Sequence, residues 1–167
     1  MGFGEAISAC FRKYVGFSGR ARRSEYWWFV LFTVLVGIVA GILDGVLGLK
    51  PAMGGAGNGP IGSITSLALF LPSLAVAVRR LHDTDRSGFW LLGIYGVMIA
   101  AVLAMVVSVF GAAAGGGTPN YAVIGVALLV IFAVGIWFLV LMCTKGTTGT
   151  NRFGADPTME NAAEEFK

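Results

Sequence analysis

Four apolar blocks divide this chain and leave it few folds to choose from. They run from Tyr26 to Leu49, Ile61 to Val78, Phe89 to Phe110 and Tyr121 to Cys143, and each holds 18 to 24 residues. A helix needs about 20 residues to cross about 30 Å of hydrocarbon, so every block has nearly the length of a span. Backbone polar groups surrounded by lipid must be satisfied within their own segment, which makes these blocks helices. Charged residues make up 13% of the chain, about half the share of an average soluble domain, and mean hydropathy is +0.80. The expected fold is an all-α integral membrane protein, a four-transmembrane-helix bundle. It forms one domain over residues 1–157, followed by a polar tail over 158–167. Pro72, inside the second block, removes a helical N–H and is expected to kink that span.

Basic residues orient the bundle. Eleven of the twelve precede the first block (Arg12, Lys13, Arg20, Arg22, Arg23), separate the second from the third (Arg79, Arg80, Arg86), or follow the fourth (Lys145, Arg152, Lys167). Lys50 alone falls on the other side. Positive charge is retained inside, so both termini and the 79–87 loop are expected in the cytoplasm. Trp27, Trp28 and Trp90 open the outward-going spans, where amphipathic rings favour the headgroup layer. Ahead of them, "EAISACFRKYVGF" reads as a short N-terminal interfacial amphipathic helix with Ile7, Phe11, Tyr14 and Val15 on one face. Residues 1–25 hold no apolar run of signal-peptide length, so the first span is expected to act as an uncleaved insertion signal. Cys10 and Cys143 then both face a reducing compartment and are expected to stay unpaired.

The polar stretch "RRLHDTDRSGFW" (79–90) sits between two spans and contains the only histidine. With the first span it gathers Arg22, Arg23, Ser24, Arg79, Arg80, Arg86 and Ser87 at one surface. Two helix N-termini point partial positive charge there, and Ser24 and Ser87 are placed to cap them. Exposed N–H groups and guanidinium forks suit a phosphate, so these seven residues are the candidate site for an anion or lipid headgroup. The alternative reading makes the arginines topology determinants and ion-pair partners in a cytoplasmic polar network of Glu25, His82, Asp83, Asp85, Asn151, Arg152 and Asp156. "RRSEYW" (22–27) and "DRSGFW" (85–90) also echo one another, which either a duplicated hairpin or convergent interface chemistry explains.

His82 and Asp83 are adjacent and diverge by about 100° on a regular helix, so they do not form a dyad. The cysteines lack metal-ligand spacing. No catalytic residue, metal or cofactor is expected. Asp44 lies about 28 Å along the first span, at the outer interface, where Lys50 is its expected partner; a proton or ion role is the competing reading. Gly37, Gly41 and Gly45 form a smooth stripe for helix packing, either within the chain or along the seam of a homo-oligomer. "GTTGTNRFGADP" (146–157) reads as an ordered turn, with Gly146 as a helix C-cap and Asn151, Arg152 and Asp156 bonding into the arginine face. It lacks the Gly-Lys-Ser/Thr ending of a phosphate loop, so nucleotide hydrolysis is not expected. No segment suggests nucleic-acid binding.

Three stretches carry a resemblance: "FSGRARRSEYWWFVLF" (17–32), "LPSLAVAVRRLHDTDRSGFWLL" (71–92) and "GTTGTNRFGADP" (146–157). Together they resemble the bacterial inner-membrane family catalogued as domain of unknown function 805. The resemblance implies a small multi-pass inner-membrane protein with short loops and cytoplasmic polar motifs, and it implies no activity. The functional expectation is a non-enzymatic protein whose basic inner face binds anionic phospholipid or a cytoplasmic protein partner. A small transporter or channel is the alternative, and a lipid-acting enzyme comes third.

Overall fold

The computed structural model describes residues 1–49, 51 and 57–159. Among them are five helices of ten residues or more and no strand: α1 (Phe3–Arg12), α2 (Arg23–Val46), α3 (Pro60–Asp83), α4 (Phe89–Gly115) and α5 (Tyr121–Cys143). The last four are each long and apolar enough to cross a membrane. The chain divides into two compact units. One comprises residues 1–85 with the segment from Gly146 onward, and the other comprises residues 86–145. The first therefore holds α1 to α3 and the C-terminal segment, and the second holds α4 and α5.

In the first unit α2 and α3 pack along their length, with α1 laid mainly on α2. Glu5 starts α1 by accepting from the Gly2 N–H at 2.8 Å. The buried face of α1 is Ala6, Ala9 and Cys10, an i, i+3, i+4 set whose small side chains allow close approach. The line expected from sequence was Ile7, Phe11, Tyr14 and Val15. The helix ends at Arg12, so Tyr14 and Val15 lie beyond it. Phe11 remains 41% exposed, with its ring edge-on to Phe29 and Phe32 at 6.0 and 5.8 Å.

The second span differs most from expectation. It starts on Pro60, whose fixed φ suits a first helical turn, and runs to Asp83 rather than ending at Val78. The charged residues from Arg79 onward extend the helix because they find partners inside the unit. The turn proper is left to residues 84–88. The helix continues through Pro72. Pro72 has no N–H for the carbonyl of Ala68, and the Tyr14 hydroxyl donates to that oxygen instead. One residue on, the Ser73 hydroxyl donates to the Leu69 carbonyl at 2.7 Å.

Asp44 is 4% exposed and caps α3 from across the helix pair. Its Oδ1 accepts from the Ile61 N–H at 3.0 Å and its Oδ2 from the Gly62 N–H at 2.8 Å. These N–H groups have no acceptor within their own helix, and the N-cap residue Gly59 has no side chain to offer. A Cβ at Gly59 would collide with the Asp44 carboxylate, so the cap depends on glycine there. The expected partner Lys50 and residues 160–167 of the polar tail lie outside the described residues. Gly37, Gly41 and Gly45 seat neither α1 nor α3, since a Cβ built at any of them meets nothing within 4 Å. Packing on α3 uses Ala40 and Asp44 on a neighbouring face.

The second unit is a helical hairpin. α4 runs to Gly115, beyond the expected Phe110. Asn120 caps α5, its side-chain oxygen accepting from the N–H groups of Ala122 and Val123 at 3.1 and 3.3 Å. Its own N–H donates to the Ser108 hydroxyl of α4 at 2.9 Å. At the other end of the hairpin the Trp90 and Trp137 rings lie 5.6 Å apart.

Candidate functional site: a buried guanidinium clasp

The last turns of α3 place Arg79, Arg80 and Asp83 inside the first unit, and each builds a different joint. Arg79 has no exposed surface. Its Nη2 donates to Glu25 Oε1 on the first turn of α2 at 2.9 Å. Its Nη1 donates to the carbonyls of Gly16 and Lys13 at 2.7 and 3.2 Å. One guanidinium thus ties together α3, α2 and the chain leaving α1, and Lys13 is the C-cap residue of α1, where a cation is favourable. The Cys10 thiol donates to the same Glu25 oxygen at 3.9 Å. Burial, with the Glu25 carboxylate adding to it, pushes this thiol up to about 12. Backbone closes the joint, as the Ala21 N–H donates to the Arg79 carbonyl at 3.0 Å.

Asp83 is the hub of the second joint. Its Oδ1 accepts from Arg20 Nε at 3.0 Å and its Oδ2 pairs with Arg80. Arg20 reaches onward to the C-terminal segment, donating to the carbonyls of Gly149 at 2.6 Å and of Thr147. The Asp83 carbonyl receives the Thr147 N–H at 2.8 Å. Asn151 donates to the carbonyl of His82 at 2.9 Å. His82 lies flat on Phe153, centroids 3.9 Å apart and planes within 3°, with Nδ1 3.1 Å from the Gly19 carbonyl. At the rim, Arg152 pairs with Asp85 at 3.1 Å, both well exposed. Asp156 accepts from the Thr158 N–H at 2.8 Å and the Gly149 N–H at 3.1 Å. Those bonds, with that from the Thr158 hydroxyl foremost, hold its carboxyl down to about 2.

Three buried guanidiniums therefore share two buried carboxylates, with main-chain carbonyls as further acceptors. Charges removed from water persist only when so paired and bonded.

This geometry corrects the headgroup candidates. Arg79 and Arg80 are fully buried and turned inward, because Glu25 and Asp83 are close enough to form charge-assisted bonds with them. Arg22 donates to the Pro157 carbonyl. Ser24 is not a cap, since Arg22 holds the N-cap position of α2. Arg86 and Ser87 belong to the other unit, where Arg86 stands 5.7 Å over the Trp90 ring and Ser87 Oγ accepts from the Phe89 N–H at 3.4 Å. The echoed serines thus differ in place, one inside its helix and the other before it. Arg23 and Ser24 border a groove of ≈ 340 Å³ with Trp27, Trp28 and Leu31, and Phe3 of α1 sets its ring edge against Trp28 at 5.7 Å.

The polar-network candidates all fall in the first unit. Glu25 serves the Arg79 joint, while His82, Asp83, Asp85, Asn151 and Arg152 join α3 to the C-terminal segment. Asp156 orders that segment internally. Sequence reasoning missed Arg20, counted only as a topology charge, and Phe153, Thr147 and Cys10. Gly146 is not a C-cap; Thr144 holds that position, and Gly146 lies against the Asp83 carboxylate.

Four membrane-competent helices and a polar clasp closing one end of a helix pair define a small multi-pass membrane protein. The chain belongs to the family described as "Protein of unknown function (DUF805)", which it matches over residues 14–155. It is 37% identical to "Inner membrane protein YhaI" of Escherichia coli (strain K12) over 146 residues, covering 87% of this chain and 89% of that one. It is 36% identical to "Inner membrane protein YhaH" of the same strain over 149 residues, covering 89% and 93%. A third relative from that strain, "Uncharacterized protein YiiR", is 27% identical over 147 residues, covering 84% of each chain. No solved structure matches. Like YhaI and YhaH, this is a bacterial inner-membrane protein.

Proposed function

We propose that this chain is a non-enzymatic inner-membrane protein, inserted with both termini in the cytoplasm, that holds anionic phospholipid at the start of α2. One observation carries the reading: Arg23 and Ser24 border a groove whose other lining is Trp27, Trp28 and Leu31. A phosphodiester oxygen seated there accepts from a guanidinium, a hydroxyl and the first-turn N–H groups of α2. Indole rings one turn deeper suit the glycerol layer, and Leu31 suits the start of an acyl chain. Phe3, Phe11, Val15 and Phe17 are all exposed around α1, which fits a helix resting in the interface beside that lipid. Asp44, the residue on which a transport reading rested, spends both carboxylate oxygens on the α3 cap.

Native mass spectrometry from nanodiscs of mixed phosphatidylglycerol and phosphatidylcholine tests the lipid site. The wild type is expected to retain the anionic lipid about tenfold over the zwitterionic one, and Arg23→Gln to remove that preference. Equal preference in both proteins overturns the reading. Orientation is tested separately on a Cys143→Ser background with a membrane-impermeant maleimide. Thr118→Cys is expected to label on intact spheroplasts and Ala155→Cys only after permeabilisation; the reverse pattern overturns the assigned sidedness.

A further inference from the structure

We propose that the turn at residues 13–16 is a splint across a proline hinge in α3. The break is at Pro72, which cannot donate to the Ala68 carbonyl and whose ring pushes that oxygen aside. Ala68 is the ninth residue of a 24-residue span; at that depth no water replaces the missing donor. The turn engages α3 on both sides of the break. Toward the helix N-terminus, the Tyr14 hydroxyl donates to the Ala68 carbonyl itself. Toward the C-terminus, Arg79 grips the same turn through the carbonyls of Lys13 and Gly16. The turn has its own closure, with the Gly16 N–H on the Lys13 carbonyl at 2.9 Å.

A proline break in a spanning helix is a natural flexing point, and Ser73, which bonds back to Leu69, adds to that tendency. With the splint in place, the two halves of α3 are joined through a segment outside the helix as well as through its backbone. Because the turn continues directly from α1, displacement of α1 is carried into α3 and frees the hinge. α1 and α3 thereby form one conformational device, with Tyr14 as its releasable contact.

The test is a double-mutant cycle on the full chain in nanodiscs, read by amide hydrogen exchange over residues 69–76. Tyr14→Phe is expected to speed exchange there about fivefold, the effect of one hydrogen bond. In the Pro72→Ala background a backbone N–H again reaches the Ala68 carbonyl, so adding Tyr14→Phe is expected to change nothing. Equal acceleration in both backgrounds would mean that Tyr14 acts by packing alone and would overturn the splint, as would no acceleration in either. The carbonyl ¹³C shift of Ala68 gives a readout in Tyr14→Phe alone. An upfield move supports the proposal, and an unmoved shift refutes it.

Discussion

Gly146 passes so close to Asp83 that a methyl group at Gly146 would occupy the space of the carboxylate. Glycine is required here by proximity. Gly146→Ala must displace either the C-terminal segment or Asp83, and Asp83 holds both Arg20 and Arg80. A loss of about 2–4 kcal/mol is expected, typical of a disturbed buried ion-pair network. Thermal unfolding in detergent measures it. Gly135→Ala, at a position with nothing within 4 Å, is the control and is expected to leave the midpoint nearly unchanged.

The Arg79–Glu25 pair predicts an asymmetric mutant series. Arg79→Met alone strands a buried carboxylate and should cost about 3–5 kcal/mol. Adding Glu25→Leu removes that stranded charge, so the double variant should be more stable than the single one. A double variant at least as damaged as Arg79→Met would show that the three carbonyl and carboxylate bonds matter more than charge pairing.

Asp44→Ala should weaken the start of α3 by about 1–2 kcal/mol, the usual worth of an N-cap. Asp44→Asn keeps one acceptor and should lose less. Amide exchange at Ile61 and Gly62 reports this directly, because those are the two N–H groups the carboxylate holds.

Asp156 gives the C-terminal segment an acid limit. Its carboxyl titrates at about 2 when folded against an ordinary 3.8. A depressed carboxyl contributes stability fully above its unfolded value and loses it as pH falls toward the folded one. Pepsin cleavage near Phe153 should therefore rise steeply between pH 4 and pH 2. In Asp156→Asn it should already be high at pH 4 and change little below it.

Cys10 should resist thiol reagents near neutral pH, since the thiolate is the nucleophile and burial holds this group near 12. N-ethylmaleimide followed by intact-mass measurement should show one adduct, at the exposed Cys143. Glu25→Gln removes a carboxylate that opposes ionisation and should speed modification of Cys10.

Much of the architecture was legible because hydrocarbon imposes a length and an apolarity on whatever crosses it. Four blocks satisfied both, and four helices formed on them. Boundaries were less legible where charge enters a helix. A hydropathy reading stops at Val78 because Arg79 follows, yet the helix continues to Asp83 because Glu25 and Asp83 compensate its arginines. Clustering of the arginines at one end was readable from their count. Their inward direction was not, because the partners Glu25, Gly16, Thr147 and Gly149 lie far away in sequence. Asp44 was assigned to Lys50 by proximity along the chain, whereas the N–H groups of Ile61 and Gly62 became neighbours only once α2 and α3 packed. Tyr14 looked like one more aromatic for the interface, and only the fold brings it to the carbonyl that Pro72 leaves without a donor.

The clasp also has a history in time. Arg20 bonds to carbonyls of Thr147 and Gly149, which lie 127 and 129 residues further along the chain. A ribosome delivers Arg20, Arg79 and Arg80 long before those acceptors exist. While α2 to α5 are being made, Arg79 already has Glu25 and Arg80 already has Asp83, whereas Arg20 has Asp83 but neither of these two carbonyls. The Arg20 joint to this segment closes only after residues 147–149 have been made. Arg20 thus waits through the synthesis of all four long apolar helices before its joint to the C-terminal segment can close.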